Sequence, residues 1–180
     1  MLDPNNDSIL YVGYDELWKS TDQGTTSTNF SKITVSSYSG TAKMRALEIA
    51  NSNSSYIYVS YAAYYAGTTY VPSSIHRSTD GGSSWTNITG TLPVASGEIT
   101  YICVKNNDPQ TVWITIGGYN GHAVYQTSNA GSSWSNISAG LPQIPAMSIV
   151  QNVQNTSKVE LYVAMTQGVW VKYGTSNWTS

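Results

Sequence analysis

The side chains of this 180-residue chain that have the chemistry for catalysis are few. Setting aside Asp22 and Asp80 in a repeated motif and Asp3, Asp7 and Asp108 in turns leaves Asp15, Glu16, Glu48, Glu98 and Glu160. Hydrolysing a glycosidic bond needs two carboxyl groups facing one cleft, roughly 5 to 9.5 Å apart, and no such pair is evident here. Holding a carboxylated sugar with three converging arginines is beyond a chain whose only arginines are Arg45 and Arg77. Arg77, beside the motif, reads as a surface residue. The two histidines, His76 and His122, have no partner at metal-ligand spacing, and no Asp-x-Asp-x-Asp-Gly loop occurs. No catalytic residue, metal or other cofactor is therefore expected of this chain. Its one cysteine, Cys103, lies in an apolar strand pattern and reads as a buried thiol.

Binding chemistry is better represented. The connection 61–72 carries Tyr64, Tyr65 and Tyr70, and the glycine-flanked loop 117–122 carries Tyr119 and His122. Tyrosine rings stack on the apolar faces of sugars while their hydroxyls take hydrogen bonds, so these residues are the expected ligand contacts. Arg45 and Tyr101, on predicted strands beside a central channel, form a second candidate set. The expected partner is a carbohydrate or a protein.

Charge narrows the field further. With 8 basic against 10 acidic residues and a net charge of -2, no basic stripe exists to hold nucleic acid or an anionic membrane. No run approaches the about 20 apolar residues that span a bilayer, and no signal-peptide pattern follows Met1. Tyrosine (14) and tryptophan (6) outnumber phenylalanine (1), an amphipathic set suited to pleated surfaces with one wet end.

The elements that must position these residues are announced by a repeated phrase. Ser20-Thr21-Asp22-Gln23-Gly24-Thr25-Thr26 recurs as Ser78-Thr79-Asp80-Gly81-Gly82-Ser83-Ser84-Trp85, then as Thr127-Ser128-Asn129-Ala130-Gly131-Ser132-Ser133-Trp134. Each copy has hydroxyl and carboxamide or carboxylate groups that cap a tight turn, and a glycine for positive φ. Trp85 and Trp134 then re-enter a strand, whereas Ser27 stands in that place in the first copy, with Phe30 nearby. A nearly erased fourth copy ends at Trp178. With the phrase as the turn between a third strand C and a fourth strand D, four repeats of short strands A to D are predicted. They cover about residues 1–40, 41–93, 94–143 and 144–180, and the first lacks its strand A. Predicted strands A are 43–49, 99–104 and 146–150; predicted strands D include 84–88 and 133–137.

The phrase resembles the Asp-box of bacterial-neuraminidase-type repeats, found in sialidases, sortilin-like receptors, xyloglucanase-like glycoside hydrolases and photosystem II assembly factors. The runs 111–119 and 161–170 are similar to the closing blades of secreted propellers of Bacteroidetes-type bacteria. The resemblance implies an all-β Asp-box β-propeller of about four blades, part of a larger or oligomer-completed ring, from a secreted or cell-surface bacterial protein. The box usually lies opposite the ligand face in those families. Three functions remain open: a non-catalytic scaffold or binding module, with carbohydrate the leading ligand; a glycoside hydrolase fragment whose catalytic groups lie outside this chain; and a subunit whose copies complete one ring.

Overall fold

Alternation of apolar and polar residues with a period of two sets the strands, and the computed structural model describes residues 1–33, 42–119 and 123–180. Apart from one 3-10 turn at Ser27–Asn29, the regular elements there are strands. The first sheet holds β1 (Leu2–Asp3), β2 (Asn6–Gly13), β3 (Leu17–Ser20) and β4 (Phe30–Ile33) in that order. The second contains β5 (Met44–Ile49) and β6 (Ile57–Tyr61), a separate hairpin of β7 (Tyr64–Ala66) and β8 (Thr69–Val71), then β9 (Ser74–Ser78) and β10 (Thr86–Asn87). Its ladder runs β5-β6-β9-β10. The third is β11 (Ile99–Val104), β12 (Val112–Ile116), β13 (Val124–Thr127) and β14 (Ser135–Asn136). The fourth is β15 (Ala146–Gln151), β16 (Glu160–Met165) and β17 (Gly168–Tyr173), with Thr179 bridging Val171 at its outer edge.

These sheets are blades of a β-propeller. Strand β11 packs against β5 on one side and β15 on the other, so the A strands stand side by side at the inside of the arc. Each carries a bulge at one shared place, between Met44 and Ala46, Ile99 and Tyr101, and Ala146 and Ser148. In the first blade only the two-residue β1 stands at the inner position.

Apolar cores lie between successive blades. Tyr11 and Leu17 meet Ile57 and Val59; Tyr58 and Ile75 meet Ile102 and Ile114; Trp113 and Val124 meet Ile149, Leu161 and Trp178. The outward faces of the end blades are exposed instead. Val12 and Trp18, cross-strand partners in the first blade, are 46% and 40% exposed, and Val169 in the fourth is 57% exposed.

The repeated turn explains how the blades approach so closely. In each copy the first hydroxyl accepts the glycine N–H (Gly24 on Ser20, 2.9 Å; Gly82 on Ser78, 2.8 Å; Gly131 on Thr127, 2.9 Å). It also donates to the carboxylate or carboxamide of Asp22, Asp80 or Asn129. That group in turn accepts the N–H four residues on, from Thr26, Ser84 or Ser133. Asn129 serves as well as aspartate because one carbonyl oxygen suffices for both bonds. A Cβ on Gly82 would lie 2.5 Å from Ile33 Cγ2, and one on Gly131 2.4 Å from Ile88 Cδ1, so each glycine admits the outer edge of the preceding blade, at or just beyond its last strand. Trp134 Nε1 donates to Ile88 O (2.8 Å) and Trp178 Nε1 to Ile137 O (2.6 Å), the same clamp at two successive interfaces. Trp85 packs on the first interface but donates within its own turn, to Gly82 O (3.1 Å).

Candidate functional site

Strand direction separates two ends of the arc. The A-to-B turns and the repeated C-to-D turns share one end, and the B-to-C connections share the other. The expected contacts Tyr64, Tyr65, Tyr70 and Tyr119 belong to this second end. Residues 61–72, read from sequence as a plain connection, form the β7–β8 hairpin, with Gly67 at φ 63° in its turn. Tyr65 and Tyr70 face each other across it, ring centroids 5.5 Å apart and planes tilted by 59°, with Tyr65 68% exposed. Tyr64 departs from the set: it is half-buried and packs on the core between the first two blades. Tyr119 is 75% exposed on the corresponding link of the third blade, and His122 lies outside the described residues. Arg45 and Tyr101 sit apart. Arg45 is exposed at the β5 bulge beside a groove of about 360 Å³ lined also by Val12, Gly13 and Met44, whereas Tyr101 lines a cleft of about 180 Å³ nearer the A-to-B turns.

Beneath the hairpin lies a cavity of about 260 Å³ lined by residues including Tyr61, Tyr64, Val71 and His76. His76 is buried, its ring 5.7 Å from Tyr61 in an edge contact, and burial pushes its pKa down to about 4, so it is neutral at pH 7. Ser73 joins two blades here, its Oγ donating to Tyr61 O (2.8 Å) and accepting from Ile99 N (3.2 Å).

The carboxylates left open by the sequence have separate engagements. Glu98 accepts the N–H of Ala63 (3.2 Å), bracing the base of the hairpin. Asp15 pairs with Lys43 and Glu16 with Lys32 (2.6 Å). The Tyr162 hydroxyl and then the Asn155 carboxamide hold Glu160 below the usual carboxylate range. Of these five, only Glu48 is without such a partner among the described residues, and desolvation pushes its pKa up to about 7. Cys103 is buried, and burial and then Glu48 push its thiol up to about 12. Arg77 corrects its reading as a surface residue: its guanidinium reaches across to Ala130 O (2.7 Å) in the next blade's turn. Glu48 was the signal that went unread, for aligned repeats place it where Cys103 and Val150 stand.

No family model matches the chain, and no curated protein does. Solved structures match its fold. A GH74 enzyme from Niastella koreensis superposes with a TM-score of 0.70 at 22% identity, covering 99% of this chain and 29% of its own. The GH74 xyloglucanase from Xanthomonas campestris gives 0.72 at 13% identity, again over 99% and 29%. YCF48 from Cyanidioschyzon merolae gives 0.60 at 15% identity, covering 99% of this chain and 54% of its own. The chain is thus similar in fold to β-propellers, and it spans under a third of the length of both GH74 proteins.

Proposed function

We propose that this chain is a non-catalytic binding segment of a larger carbohydrate-active propeller protein, exported to the bacterial surface or medium, with carbohydrate as the leading ligand. The observation that carries the reading is the exposed Tyr65–Tyr70 pair on a hairpin that projects beyond the blade ladder, at the end shared by Tyr119. Exposed aromatic rings on a braced loop suit stacking on sugar faces. The separate engagements of Glu98, Glu160, Asp15 and Glu16 support a binding role over hydrolysis. Glycan-array screening followed by titration tests it. Tyr65→Ala, Tyr70→Ala and Tyr119→Ala should each weaken a hit by about 1 kcal/mol, with melting temperature unchanged. A hit bound equally well by the triple variant would move the site elsewhere. The likeness to the GH74 enzymes keeps the hydrolase reading in view, with catalytic groups supplied outside this chain.

The outward apolar faces at Val12 and Trp18, and at Val169, favour a second reading in which further blades cover them. In one form of it a second copy completes the ring. Sedimentation across a concentration series tests this form, which fails if the chain stays monomeric.

A further inference from the structure

The cleft of about 180 Å³ beside the inner strands is lined by Glu48 of β5, Tyr101 and Cys103 of β11, Val150 and Gln151 of β15, and Asn51 and Asn106 of the A-to-B turns. Glu48, Cys103 and Val150 occupy one register position in successive blades, each opposite an aromatic residue: Tyr58, Trp113 and Tyr162. Cys103 and Val150 show that the blade needs no charge there. Glu48 is half-buried, and a carboxylate partly withdrawn from water is costly unless a cation or strong donors meet it; among the described residues none does. The neighbouring polar side chains are uncharged carboxamides tied to one another and to the backbone. The Asn51 amide nitrogen donates to Asn106 Oδ1 (2.9 Å), leaving the Asn51 carbonyl oxygen as an acceptor, and Gln151 Oε1 accepts from Asn106 N (2.9 Å). Tyr101 adds a half-exposed aromatic ring, which attracts cations.

We infer that this cleft binds a primary alkylammonium group, with Glu48 as its counter-ion and the Tyr101 ring beside it. The cleft of about 180 Å³ has room for an aminoalkyl chain. The group has two sources of one chemistry, a free amine or the lysyl side chain of a partner. The titratable groups facing Glu48 are the Tyr101 phenol and the Cys103 thiol, both from β11, while β15 presents the uncharged Ile149, Val150 and Gln151. The inference does not depend on the tyrosine hairpin.

The test is carbon-13 NMR of the glutamate carboxyl groups in the full chain, titrated with n-butylamine, with the peptide acetyl-Gly-Lys-Gly-amide, and with n-butanol as the neutral isostere. Butylammonium or the peptide should shift the Glu48 signal and lower its titration midpoint from near 7, while butanol does neither. Tighter binding of the peptide assigns the lysyl source, and tighter binding of butylammonium the free amine. Affinity should rise between pH 6 and pH 8, because the carboxyl ionises while the amine stays protonated. Glu48→Gln, checked for an unchanged melting temperature, should weaken binding at least tenfold. No Glu48 shift with either cation, an equal shift with butanol, or undiminished binding in Glu48→Gln would overturn the assignment; the wild-type midpoint decides it even if the variant misfolds.

Discussion

At the scale of single residues, the repeated turn couples backbone conformation to blade contact. Gly82 sits at φ 97° with Ile33 against it, so Gly82→Val meets both strain and a clash and should cost on the order of 3 kcal/mol. Gly67, at φ 63° with open space around it, should lose only about 1 kcal/mol as Gly67→Ala. Thermal denaturation of both variants checks the order, and equal losses would refute the packing role of Gly82. Asp80 offers a pH test. Hydrogen bonds from Ser84, side chain first and backbone next, hold its carboxyl at about 2, below the usual carboxylate value. Because the folded value is the lower one, its stabilising contribution is present above the unfolded pKa and is lost as pH falls through about 2. Asp80→Asn, which copies the third turn, should flatten that acid limb in a pH series of melting temperatures. The thiol of Cys103, buried and held at about 12, should react with a disulfide reagent only as the chain unfolds.

At the scale of elements, Trp134 ties the third blade to the second through ring packing and the bond to Ile88 O. Trp134→Ala should cost about 3 kcal/mol, and Trp134→Phe, which keeps a ring but loses the donor, about 1 kcal/mol; denaturant unfolding distinguishes the two. Much of this scale was legible in the sequence. Inner strand β11 falls where the apolar run predicts it, and the turn chemistry places the C-to-D turns. Predicted strands D at 84–88 and 133–137 shrink to the two-residue β10 and β14, because Ser84 and Ser133 give their N–H groups to the turn instead of the ladder. The β7–β8 hairpin was missed although Gly67-Thr68 marks its turn. What a single repeat does not encode is contact across repeats. The fit of Gly131 on Ile88, the reach of Arg77 to Ala130, and the desolvation of Glu48 beside Cys103 all join residues about 50 positions apart.

At the scale of the whole molecule, the described residues form a series of blades in which each core belongs to one neighbouring pair. Stability in such a series is approximately a sum of intrinsic and nearest-neighbour terms. The second and third blades are each held by two cores, the first and fourth by one. Unfolding should therefore begin at the ends. Native-state hydrogen exchange should find amides of β2 and β16 opening at lower free energy than those of β6 and β12, and uniform protection would exclude this. The Glu48 cleft, walled by strands of the second, third and fourth blades, then inherits the opening of the fourth. Loosening of that terminal blade would release whatever the cleft holds, making its retention time a property of the arc's fraying end and not of the binding contacts alone.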